Sequence, residues 1–179
     1  MSLTVVLAMH GAPANDFPSE ELAELMGLHA ALERATGERR QALESRHSEL
    51  EAKLRTWPRT ERNDPFWAGS HTLAEALREA TGHEVIVGFN EFCAPSLDQA
   101  LDQAAARGMQ EIVVVTPMMT RGGEHSEADI PGAIERAVRR HPAISFRYAW
   151  PFNPGEVARF LAAQLEKVRT GRPDEPAKT

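Results

Sequence analysis

The sequence predicts an α/β fold: a four-stranded, mostly parallel sheet with helices on both faces, a three-layer sandwich. Three observations carry that expectation. Apolar runs of strand length recur along the chain, as LTVVLAM at Leu3–Met9, EVIVGF at Glu84–Phe89 and EIVVV at Glu111–Val115. Each leads through polar turn residues into a stretch whose apolar residues fall at helical spacing. Strand and helix then alternate to the end, the pattern of right-handed crossovers over a parallel sheet.

Taken in order, Leu3–Met9 is continuously apolar, as a strand buried on both faces must be, and it ends in the turn His10-Gly11-Ala12-Pro13. Asp16 or Ser19 can cap a helix that carries Leu22, Leu25, Met26, Leu28 and Leu32 on one face. Two Thr-Gly pairs, at Thr36-Gly37 and Thr81-Gly82, read as helix ends closed by glycine. Glu38–Arg62 is dense in charge with a sparse stripe of Leu43, Leu50 and Leu54, the pattern of an exposed helical insertion with a narrow seam. Asn63-Asp64-Pro65 opens the next helix, which runs to about Ala80. After the second strand, Pro95–Arg107 is a helix with Leu97, Ala100, Leu101 and Ala104 inward, closed at Gly108. The third strand delivers the polar loop TPMMTRGGEHSEADIP at Thr116–Pro131, and a helix follows from about Ile130 to Arg140. A fourth strand near Ala143–Trp150 precedes a last helix, Pro154–Val168, expected to pack Val157, Phe160, Leu161 and Leu165.

Composition narrows the function. At 179 residues the chain fits one α/β domain, expected over residues 1–169, with 38–62 as the charged insertion and 170–179 as a disordered tail. Hydrophobic residues at 42% and charged residues at 26% are ordinary globular values, and a net charge of -6 speaks against nucleic acid as partner. No apolar run approaches the ~20 residues of a membrane span and no leader pattern precedes the first strand, so a cytoplasmic protein is expected. One cysteine, Cys93, excludes an internal disulfide framework and a CxxC metal site. No phosphate-cradling GxxxxGK[ST], dinucleotide GxGxxG or GxSxG elbow occurs, so no nucleotide is expected.

Parallel strands bring their following loops to one edge, where ligands of such folds bind. His10 follows strand one, Glu91 follows strand two, and His125 lies in the loop after strand three. Two imidazoles and a carboxylate suit borderline divalent ions, and equally suit proton acceptance near neutral pH. Glu91 also fits a carboxylate at a helix N-terminus, Cys93 a small buried filler, and Met118 and Met119 either core or pocket wall. His29, His47, His71, His83 and His141 fall in or beside helices and are assigned no chemistry.

VVLAMHG at Val5–Gly11, FNEFCAPSLDQAL at Phe89–Leu101 and IVVVTPMMTRGGEHSEADIP at Ile112–Pro131 resemble the small class II tetrapyrrole chelatases, the sirohydrochlorin cobaltochelatase/ferrochelatase group (CbiX/SirB). The last block is the most specific, with Pro117, Gly123, His125 and then Asp129-Ile130-Pro131 in the family's arrangement. The resemblance implies a lyase that inserts Co2+, Fe2+ or Ni2+, as a substrate, into a tetrapyrrole without ATP. Sirohydrochlorin is the expected tetrapyrrole, in cobalamin or sirohaem biosynthesis. It implies His10, Glu91 and His125 as metal ligands and catalytic groups, with Gly11, Phe92, Met118, Met119, Arg121 and Gly123 beside the substrate. It also implies a homodimer, because the larger enzymes of the family have two such halves facing across the cleft. Leu43, Leu50 and Leu54 of the insertion are the expected contact. The second reading is a metal- or tetrapyrrole-binding protein without turnover. It attaches to Gly11-Ala12-Pro13, where the family usually carries Gly-Ser-Arg.

Overall fold

The first strand, β1 (Thr4–Met9), is buried at every position. That continuous burial follows from its place inside a four-stranded sheet of order β2-β1-β3-β4, with β2 at Glu84–Phe89, β3 at Glu111–Val115 and β4 at Ser145–Tyr148. All three pairings are parallel, and the register sets Met9 beside Phe89 and Leu7 beside Val115. The structure, a computed structural model, describes residues 3–32 and 34–171. The expected disordered tail lies outside the described residues apart from Thr170 and Gly171.

Both faces of β1 are covered. Val6 and Ala8 pack with Ile112 and Val114 against α4 (Leu97–Ala105) and α5 (Ile130–Arg140). Leu7 and Met9 pack with Val87 and Phe89 against Ala74, Trp67 and Leu77 of α3 (Pro65–Thr81). Local chemistry fixes the helix ends. Asp64 accepts the Trp67 N–H at 2.8 Å, Pro65 follows it, and Gly82 closes α3 in the left-handed region at φ 69. Ser96 and Gln99 form a reciprocal capping box at the start of α4.

The charged insertion differs from its expectation. It forms α2 (Gly37–Arg55), which packs along α1 (Ser19–Leu32) and does not project from the chain. Arg40 donates to the Leu32 carbonyl, Arg46 grips Glu24, and Lys53 grips Glu21, so the two helices run antiparallel. Leu50 and Leu54 are buried in a cluster with Ala14, Phe17 and Leu25. The narrow seam is therefore spent inside the chain, which removes Leu50 and Leu54 as a contact between copies. Gly37, expected to close α1, instead opens α2 after the extended Thr36.

Two further differences bear on the site. Residues His125–Asp129, expected as loop, form a π-helical turn that runs directly into α5. The last helix, α6 (Pro154–Thr170), does not pack as its stripe predicts: none of its residues is buried, and Phe160, Leu161, Leu165 and Val168 are 55–80% exposed.

Candidate functional site

Parallel pairing sends the chain after β1 and β2 out of the sheet side by side. The Asn90 N–H donates to the Met9 carbonyl and the Glu91 N–H to the His10 carbonyl, both at 2.9 Å, so the ladder continues two residues past the strands. His10 and Glu91 are thereby set beside each other. The approach is so close that Gly11 is obligatory. Its φ is 104, and a Cβ there would lie 1.9 Å from the Glu91 carbonyl oxygen.

Beyond Glu91 the chain reverses in a three-residue turn. The Cys93 N–H donates to the Glu91 carbonyl at 2.6 Å, and Phe92 at the apex has φ 60. Phe92 has the only positive φ among the described non-glycine residues, a strained conformation of the kind that collects at ligand sites. Arg59 holds it. This guanidinium is only 6% exposed, pairs with the buried Asp64, and donates to the carbonyls of Ala12, Leu54 and Phe92. Arg55 adds donations to the Asn90 and Cys93 carbonyls, each at 3.1 Å. The last residue of α2 and the segment just after it thus clamp the loops that carry His10 and Glu91. Cys93 is fully buried against Ala12 and Asp64, and burial pushes its thiol up in pKa. It is a filler here, not a nucleophile.

His125 arrives from the third loop. Ser126 is buried and donates to the Gly123 carbonyl, while the Tyr148 hydroxyl donates to the Ser126 carbonyl at 3.1 Å. Burial raises the Tyr148 pKa to about 12, so the phenol stays a donor at any working pH. The π-turn so anchored puts the His125 ring 4.4 Å from the His10 ring, centroid to centroid and edge-on. One ligand atom each from His10, Glu91 and His125 lies within 4.8 Å of the others, close enough to hold one ion.

Both imidazoles are presented the same way. His10 Nδ1 lies 2.9 Å from the Gly11 carbonyl oxygen and His125 Nδ1 lies 2.6 Å from Asp129 Oδ2. A carbonyl or carboxylate oxygen can only accept, so each Nδ1 carries the proton, and in the neutral imidazole Nε2 is then the nitrogen that offers a lone pair to a metal. Asp129 was not singled out by sequence reasoning. Its signal was there, in the four-residue spacing from His125 that a helical turn converts into contact. Arg55 and Arg59 were missed as well, and no local pattern marks them; Asp64 was read only as part of a helix start, not as the partner of Arg59.

A cavity of about 460 Å³ opens beside the trio, walled by Glu91, Phe92, Asn90 and Asp129 on one side and by Leu25, Met26, His29 and His47 of α1 and α2 on the other. Phe92 stacks toward His10 with ring centroids 6.4 Å apart. The other candidate substrate residues are placed differently. Met118 packs against the core under α4 and α5, and Gly123 accepts the hydrogen bonds that start the π-turn. Arg121 is exposed and pairs with Glu127, and Met119 is half-buried. None of these four, nor Gly11, lines this cavity. No helix among the described residues is long and apolar enough to cross a membrane.

The family model described as CbiX matches residues 62–168, more than half of the chain; Glu91 and His125 fall inside that stretch and His10 before it. A sirohydrochlorin cobaltochelatase from Priestia megaterium is 37% identical over 70 residues, 39% of this chain and 22% of that protein. A sirohydrochlorin cobaltochelatase from Methanothermobacter thermautotrophicus is 37% identical over 59 residues, 33% of this chain and 41% of that protein. Each match thus spans less than half of the relative's length. A solved structure, the CbiX protein from Marinobacter aquaeolei VT8, superposes with a TM-score of 0.54 at 18% identity, covering 95% of this chain and 98% of that one. That superposition shows the α/β fold.

Proposed function

Because the chain belongs to the CbiX family, we propose that it is a lyase that inserts a divalent metal into a tetrapyrrole without ATP, with sirohydrochlorin as the macrocycle and cobalt as the metal. The observation that carries this reading is the gathering of His10, Glu91 and His125 ligand atoms within 4.8 Å at the carboxyl edge of the sheet.

Insertion must strip two pyrrole N–H protons and exchange the metal's ligands from protein to ring. Two neutral imidazoles and one carboxylate offer three donors and leave the remaining positions of a divalent ion to incoming ring nitrogens. Glu91 is the group placed to take a pyrrole proton as its bond to the metal loosens, and an imidazole freed of the ion can take the other. Phe92, set against His10, is proposed as a wall for the flat ring, with Gly11 permitting the close loop approach beneath it. Met118, Met119, Arg121 and Gly123 are proposed to meet the substrate's rim from the loop after β3. Ferrous iron and nickel suit the same donor set. Residues 1–169 are the proposed working unit, acting in the cytoplasm in cobalamin or sirohaem synthesis.

Anaerobic absorbance of the protein with sirohydrochlorin and Co2+ tests the proposal. We expect the metallated spectrum to develop faster than in the uncatalysed mixture, and a His10→Ala/His125→Ala double variant to lose that acceleration. Wild-type protein that merely matches the blank while binding metal or macrocycle would make this a binding protein instead.

We also propose that the chain forms a homodimer. The exposed stripe of Phe160, Leu161, Leu165 and Val168 on α6 supports a homodimer, because apolar patches of this kind mark contacts. Sedimentation of wild type should give a dimer and of Leu165→Glu/Val168→Glu a monomer; a wild-type monomer at micromolar concentration would overturn this.

A further inference from the structure

His29 and His47 stand on different helices, α1 and α2, yet their rings lie 5.7 Å apart, centroid to centroid. Two imidazoles sharing one divalent ion bring their centroids to roughly 4.5–6 Å, given metal–nitrogen bonds of about 2.1 Å. The pair is therefore already at chelating distance. Glu51 stands one turn beyond His47, its Oε2 3.7 Å from His47 Nδ1, and its other oxygen is held by Arg55 at 2.9 Å. At the sheet edge too a carboxylate stands four residues after a histidine on its Nδ1 side, Asp129 at 2.6 Å from His125, where His47 and Glu51 are a looser 3.7 Å apart. A carboxylate on the Nδ1 side favours Nε2 as the ring nitrogen that would meet an ion.

His29, His47 and Glu51 line the same cavity as Glu91 and Asp129. We propose that His29 and His47 form a second divalent-cation site on the α1–α2 hairpin, a loading station from which the ion crosses the cavity to Glu91. Two imidazoles with water in the remaining positions give a labile site, suited to passing an ion on. A site that only stored metal would need more protein ligands. The binding claim stands on its own geometry; the delivery role rests on the chelation proposed above.

Equilibrium dialysis with Co2+ should give two ions per chain for wild type and one for either His29→Gln/His47→Gln or His10→Ala/His125→Ala. In the latter variant, Co2+ should broaden the ring NMR signals of His29 and His47 before those of His71, His83 and His141. Equal broadening of all five, or one ion per wild-type chain with no loss in His29→Gln/His47→Gln, would overturn the site. For delivery, His29→Gln/His47→Gln should raise the cobalt concentration needed for half-maximal insertion several-fold, a larger change than in the rate at saturating cobalt. An unchanged cobalt dependence would overturn the delivery role. A wild type without insertion activity would instead sink the chelation reading, and the dialysis result would be untouched by it.

Discussion

Replacing Gly11 by alanine should damage the site more than any other single methyl group. The backbone there has φ 104, outside the regions open to L-residues, which by itself costs about 1–3 kcal/mol. The new Cβ would also lie 1.9 Å from the Glu91 carbonyl oxygen and 2.9 Å from its carbon. An ordinary carbon–oxygen contact is about 3.3 Å, so one of the two loops must retreat by roughly 1.4 Å. That overpacking adds about 1–3 kcal/mol, so a total of about 2–6 kcal/mol is expected. The functional loss should exceed the stability loss in its consequences. The Glu91 N–H bond to the His10 carbonyl sets the spacing of two of the three proposed metal donors, and a shift of about 1 Å at a reacting centre costs about 100-fold in rate. Urea unfolding would measure the first effect and Co2+ titration followed by insertion rate the second, with His10→Ala as the reference for lost ligation. A Gly11→Ala protein with the wild-type midpoint and wild-type Co2+ affinity would refute the claim that these loops are packed to contact.

Three more expectations follow from the same geometry. Arg59→Ala should cost about 3–5 kcal/mol, because it strands the 1%-exposed Asp64 without its partner and unties the Ala12 and Phe92 loop carbonyls and that of Leu54; a loss under ~1 kcal/mol in urea melts would contradict that role. Asp129→Asn should weaken Co2+ binding about 10–100-fold with little change in thermal stability, since the carboxylate is half-exposed and acts through His125 Nδ1; equal affinities would show that the contact does not orient the ring. The Asp98 carboxyl is partly buried, which opposes its charge, but Arg136 and Arg140 win and hold its pKa below the usual carboxylate range. Its contribution to joining α4 and α5 is therefore fully present above about pH 4 and lost as pH falls through its lowered pKa. Because the pair is about a third exposed, Asp98→Asn should remove only about 1 kcal/mol at pH 7 and flatten the acid limb of a stability–pH curve; an unchanged limb would count against it.

How far the sequence announces this molecule depends on how local each signal is. β1 and β3 are legible because burial on both faces demands uninterrupted apolar runs, and α3 because Asp64, Pro65 and Gly82 write its ends chemically. β4 was drawn too long, at Ala143–Trp150 against Ser145–Tyr148, since an edge strand needs pairing on one side only and leaves a weaker pattern. The convergence of His10, Glu91 and His125 was legible from topology alone, because parallel strands fix which loops share an edge. The error over α2 has the opposite cause. Its stripe of leucines was read correctly as a seam, but an amphipathic pattern says that a face is covered and not by what, and α1 covers it. The same ambiguity ran the other way for α6, whose stripe is left exposed among the described residues.

The long-range clamp was illegible for a physical reason that also explains what α2 is for. Arg59 reaches carbonyls at Ala12, Leu54 and Phe92, and Arg55 those at Asn90 and Cys93, all but Leu54 more than thirty residues from the arginine that finds them. Backbone carbonyls are present in every residue, so no side-chain pattern marks an acceptor. Yet a turn with Phe92 at φ 60 persists only where its surroundings over-determine it. Five guanidinium-to-carbonyl bonds supply that constraint, and four of them land on the two loops carrying His10 and Glu91. A segment that reads as solvated charge is thus what holds the strained turn beside the proposed metal site in place. It follows that trimming the α1–α2 hairpin as dispensable would loosen Glu91 from His10 before it unfolded the sheet.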